Sequence, residues 1–143
     1  MIEYTDTMSS AKPITEEEKF IELFREIQVF AHGVNVENGW WKKRNTIATI
    51  LAGHQIDNTP SLVIELLGLV GSEVAEGIEA ARKHDQHTWN DTKRKDTLVR
   101  ECAGTIVRLM DLCEHLKLDL GEAILEEIKA NQNRGYMHGN KAA

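Results

Sequence analysis

Wherever apolar residues recur in this chain over more than a few positions, they do so every three or four residues, a period that belongs to the α-helix. Alternating stretches that would mark strands are short, so the expected fold is all-α, an antiparallel helical bundle. The most demanding segment runs from Pro60 to Ala81, because it carries two apolar lines. One passes through Leu62, Leu66 and Leu69 and continues into Glu73 and Glu76. The other passes through Val63, Leu67, Val70, Val74, Ile78 and Ala81. A helix with two apolar sides has more surface to bury than one small chain can cover, so homo-oligomerisation is expected to complete the bundle.

The first line raises a chemical question. Residues three or four apart stack on one helix face, so Glu73 and Glu76 extend a row begun by leucines, and Glu101 begins the same face of the next predicted helix. A carboxylate in a helix seam costs several kcal/mol unless it is paired, and hard divalent cations such as magnesium are natural partners of clustered carboxylate oxygens. Periodicity alone leaves a commoner outcome open, in which the second line is the core stripe and the acids are its solvated shoulder.

The chain's 143 residues suit one domain, placed at 15–143, behind an N-terminal arm, 1–14, that mixes Thr, Ser, Asp and Pro13 without period. A net charge of -6 disfavours a nucleic-acid partner. Local positive groups remain at Lys42, Lys43 and Arg44 and at Lys129, Arg134 and Lys141, which leaves small phosphate ligands plausible. Cys102 and Cys113 lie on the apolar side of one predicted helix, about 16 Å apart along its axis, beyond disulfide reach. A reducing compartment follows. Without a membrane-length apolar run or a signal pattern, the expected location is cytoplasmic.

Along the chain, Thr15 with Glu18 forms a capping box that opens a helix. Phe20, Ile21, Leu23, Phe24, Ile27 and Phe30 are its expected buried face, with Gly33 and Asn38-Gly39 ending it. Trp40 and Trp41 are adjacent and cannot share a face, so one is free to pack while the other lines a cleft. A short helix is expected from Arg44 to His54, and Thr59 with Pro60 caps the long one. Its glycines, Gly68, Gly71 and Gly77, point to close approach by a neighbour. A polar link from Lys83 to Thr92 leads to a helix over about Lys95 to Leu116, with Val99, Cys102, Ala103, Ile106, Leu109, Met110 and Cys113 inward and Glu101 on the shoulder. Asp119 with Glu122 caps a last helix.

Spacing excludes several helical chemistries. Every histidine lacks a glutamate three positions earlier, against a di-iron bundle, and no P-loop, dinucleotide fingerprint or nucleophile elbow is present. His84 and His87 in the polar link lack the cysteine or third histidine of a zinc set. Carboxylate and metal chemistry remains.

Four motifs, in order, carry a resemblance: Gly39-Trp40-Trp41; Glu73 and Glu76 in SEVAE; Glu101 in ECAGTIVRLMDL; and Asn131, Arg134, Tyr136, His138 and Gly139 in KANQNRGYMHGNK. Together they resemble the MazG-like nucleoside triphosphate pyrophosphohydrolases of the all-α pyrophosphatase superfamily, over roughly Gly39 to Lys141. The resemblance implies a dimer or tetramer of antiparallel helices. It implies Mg2+, or Mn2+, on Glu73, Glu76 and Glu101 as ligands and catalytic acids. Lys129 and Arg134 would neutralise phosphate charge, and Asn131 with Trp40 or Trp41 would contact base or sugar. The expected reaction cleaves a nucleoside triphosphate to its monophosphate and pyrophosphate. Where the family has a fourth acidic ligand this chain has Gly104, and Asp111, about 10 Å further along the helix, is too distant to replace it. Two alternatives therefore stand beside the enzyme: a nucleotide-binding homologue without turnover, and a helical oligomerisation module.

Overall fold

Helix α1 (Glu16–Glu37) starts where the chain supplies its own cap: the Thr15 side chain accepts from the Glu18 backbone N–H, and Glu18 reciprocates at the Thr15 N–H. The computed structural model describes residues 12–135, and among them are five helices and no strand. The expected all-α bundle is what forms. Most of the 1–14 arm, and Tyr136, His138, Gly139 and Lys141, lie outside the described residues.

Gly33 does not end α1. The helix runs through it to an Asn38 cap, and Gly39 then takes a φ of +83°, a left-handed turn that glycine adopts without a side-chain clash. That turn sends Trp41 inward beneath α2 (Lys42–Gly53). Helix α3 (Thr59–Lys83) begins one residue earlier than expected, with Asn58 rather than Thr59 as cap, and the Asp57 carboxylate accepts from the Thr59 N–H. Helix α4 (Leu98–His115) starts late. Asp91 accepts from the Lys93 and Arg94 N–H groups, while the Thr97 hydroxyl donates to the Asp91 carbonyl, and together these hold 91–97 in turns. Asp119 caps α5 (Leu120–Asn133) as its spacing from Glu122 requires.

Helix α4 is central, packed on α3 along one side and α1 along the other, with α5 against α1. All three pairings are antiparallel: Glu73 meets Arg108 and Gly77 meets Glu101; Gln28 meets Glu114 and His32 meets Asp111; Arg25 meets Asp119 and Glu17 meets Lys129. The core gathers Trp41, Leu62, Leu66 and Leu112.

This packing corrects two expected faces. On α1 the buried residue is Gln28, which donates to Glu114 and to the Leu118 carbonyl, whereas Leu23, Ile27 and Phe30 stand 58%, 44% and 72% exposed. The helix turns its polar line to α4; of its apolar line only Ile21 and Phe24 are half-buried, Phe24 against Gly121 of α5. On α4, Met110 and Leu112 are buried but Cys102, Ala103 and Ile106 are exposed, because Glu101, Gly104 and Arg108 occupy the side next to α3. On α3 the leucine line, Leu62 and Leu66, faces inward; Leu67, Val74 and Ile78 of the other line lie open. Of the three α3 glycines only Gly77 has a close neighbour.

Candidate metal centre

Glu73 and Glu76 are one helical turn apart on α3, and antiparallel pairing brings Glu101 of α4 opposite them. Gly77 marks the level at which α3 and α4 face each other: a Cβ there would lie 3.5 Å from Cβ of Glu101, an ordinary packing distance. One carboxylate oxygen from each of Glu73, Glu76 and Glu101 lies within 4.8 Å of the others. Octahedral Mg–O bonds of about 2.0–2.1 Å set neighbouring oxygens about 2.9 Å and opposite ones about 4.1 Å apart, so three carboxylates would have to draw together to hold one ion.

Electrostatics are strained at this junction. Burial, followed by the charges of Glu76 and Glu73 and by hydrogen bonds with them, raises the Glu101 carboxyl above its ordinary range. Glu73 meets one cation, the Arg108 guanidinium, whose Nε donates to Oε1 at 2.5 Å. Gly104 faces the same carboxylate: a Cβ there would lie 2.5 Å from Oε2 of Glu73. Glu73 thus reaches into the space that a side chain at 104 would fill.

Two hollows share Glu73. An apolar groove of about 460 Å³ runs past Val74, Ile78, Leu98, Cys102 and Ile106. On the other side a polar cleft of about 520 Å³ holds Asn35, Trp40, Arg44, Arg108 and Asp111 over Leu66 and Leu69. The adjacent tryptophans divide as their adjacency demands, with Trp41 1% exposed and Trp40, 65% exposed, lining the cleft. Trp41 donates Nε1–H to Asp111 at 2.9 Å, stacks on His115 at 4.0 Å, and lies beneath Arg44. Asp111 also binds His32 at 2.6 Å, so it ties α1, the turn before α2 and α4 together.

Lys129, Asn131 and Arg134 are elsewhere. Lys129 pairs with Glu17 in the first turn of α1 and with Glu126, and Arg134 approaches Glu127. From Glu17 to Gln28, and onward from Glu114 to Glu101, the helices rise on the order of 35 Å, so one chain does not bring these residues to its own acids. Arg108 and Arg44 share a cleft with Glu73, and Lys83 shares one with Glu76 and Glu101. Arg108 was legible as the residue one turn beyond Gly104 on the same face, seven after Glu101. His84 pairs with Asp96, as Arg94 does, and His84, Asp96 and Lys83 line a third hollow of about 200 Å³ that also includes Glu76 and Glu101.

No family model, curated protein or solved structure matches the chain.

Proposed function

We propose that the chain is a MazG-like nucleoside triphosphate pyrophosphohydrolase acting with Mg2+ or Mn2+ on the nucleotide pool of the cytoplasm. The observation that carries this reading is the meeting of Glu73, Glu76 and Glu101 at the edge of a cleft that offers Arg108, Arg44 and an exposed indole. The four-motif resemblance supports the same reading. Glu73, Glu76 and Glu101 would hold the ion, which supplies charge neutralisation for the triphosphate and polarises a water.

The remaining steps belong to the chain. Water oxygen bonds to the α-phosphorus as the bond to the α,β-bridging oxygen breaks, releasing monophosphate and pyrophosphate. Glu76, the most exposed of the three acids, accepts the proton from water. Arg108 and Arg44 face developing phosphate charge, and Trp40 offers a flat apolar surface to a base. In our reading the uncovered line of Leu67, Val74 and Ile78 is covered by a second copy. A panel of nucleoside triphosphates assayed for magnesium-dependent pyrophosphate release tests the activity; absence of release across the panel would overturn it.

One observation favours a binder without turnover. The Glu73 carboxylate stands where a side chain at 104 would be, so only three acids surround the ion. Nucleotide-induced thermal stabilisation without pyrophosphate release would select that reading.

A further inference from the structure

Arg44 and Arg108 line the same cleft but are held differently. Arg44 is fixed: it donates to the Trp40 carbonyl and to Glu65, both at 2.9 Å, and its guanidinium lies 5.6 Å from the Trp41 ring centroid. Arg108 is 43% exposed and meets Glu73 through Nε alone, and among the described residues its terminal amines have no protein partner. A single Nε contact of this kind leaves the four N–H donors of the two terminal amines outside the pair, unlike the two-pronged pairing by which Arg usually grips an acid. Glu73, by contrast, is only 15% exposed at its side chain and lines the hollows on both sides.

We propose that Arg108 is the cation that Glu73 exchanges for a metal ion, and that the guanidinium so released binds a phosphate oxygen in the polar cleft. The inference rests on the metal reading of the acid cluster given above. It adds a coupling: metal uptake by Glu73 breaks the Arg108 pair, and phosphate binding by Arg108 frees Glu73 for metal, so each ligand removes the other's competitor. Arg108 is a positioning residue toward the metal and a contact residue toward the phosphate.

The exchange predicts opposite effects from one substitution. In Arg108→Gln, Mn2+ affinity without nucleotide, read by electron paramagnetic resonance, should rise about two- to fivefold, the range set by loss of one partly exposed ion pair. Tripolyphosphate affinity in saturating Mn2+, read by calorimetry, should fall by at least about fivefold. Arg108→Lys, which keeps the charge, should restore part of both. The reciprocal variant, Glu73→Gln, should bind tripolyphosphate more tightly than the parent in chelator, because its Arg108 is already free. A purely structural Arg108 predicts that both affinities fall together or that neither moves, and either result overturns the exchange. Failure of the parent to bind Mn2+ would sink the metal reading and this inference with it. Normal metal and tripolyphosphate binding by the parent, with Arg108→Gln unaltered, would sink the role of Arg108 alone.

Discussion

Gly104 gives Glu73 the room to stand where it does: a Cβ on the glycine would lie 2.5 Å from Oε2 of that carboxylate. The obstructing atom is the far end of a flexible side chain, so a substitution here displaces a carboxylate rather than a helix. Gly104→Asp is therefore expected to fold. It should lose about 1 kcal/mol relative to the parent in chelator, from repulsion among four acids, and gain more than the parent from Mg2+. Pyrophosphate release should rise or appear. Gly104→Ala supplies the Cβ without the charge; it displaces the same carboxylate and adds no ligand, so it should gain less from Mg2+ than Gly104→Asp does. Melting curves of both variants in chelator and in Mg2+ check this; an equal loss for Gly104→Asp in the two conditions would make position 104 a packing site only.

Glu73→Gln and Glu101→Gln should each weaken Mn2+ binding by more than about tenfold, because the amide keeps the shape and removes the charge that a hard cation needs. Spin-resonance titration of free Mn2+ measures it. Unchanged affinity in both variants would count against the centre.

Glu101 also imposes a pH dependence. Its folded-state carboxyl is raised, so between its ordinary value and the raised one the folded protein binds more protons than the unfolded chain, and stability falls as pH rises through that window. In chelator, Glu101→Gln should match the parent at the acid end of the carboxylate range and exceed it in stability near neutrality. Denaturant melts at the two pH values test the sign, and a parent advantage near neutrality would refute the assignment.

Asp111 accepts a hydrogen bond from the Trp41 indole N–H at 2.9 Å and pairs with His32 at 2.6 Å. Asp111→Ala leaves the indole N–H of a nearly buried Trp41 without an acceptor, at a cost of about 1–3 kcal/mol in urea unfolding. Asp111→Asn keeps an acceptor oxygen and should lose less than Ala does.

The exposed residues of α3, Ile78 at 60% and Val74 at 49%, flank the apolar groove beside the acids. Sedimentation velocity should show an oligomer for the parent and a smaller species for Ile78→Lys. A monomeric parent at high concentration would end the claim of self-association.

What could be read from residues alone was what neighbours in the chain decide among themselves. The Thr15–Glu18 box and the Asp119 cap involve partners three residues apart, and both formed as their spacing requires. Glu73 and Glu76 on one face followed from helical geometry, but the choice between the two α3 lines did not, since either is a valid stripe until α4 is in place. Helix α1 shows the cost of assuming that the most apolar side goes in: Gln28 is buried with its amide Nε2 donating to Glu114 and to the Leu118 carbonyl, contacts 86 and 90 residues away, while its Oε1 has no partner among the described residues. The Arg108–Glu73 pair spans 35 residues and depends on the register of α3 against α4, which no local pattern fixes.

The division of Trp40 from Trp41 gives the molecule an optical readout. Two indoles joined by one peptide bond sample separate media, Trp40 the solvent at the cleft and Trp41 an interior stacked on His115. A nucleotide entering the cleft should change the emission of Trp40 while Trp41 reports on the integrity of the fold, so variants that keep one of the two, with the third tryptophan, Trp89, also replaced by Phe, would let occupancy and unfolding be followed as separate fluorescence signals.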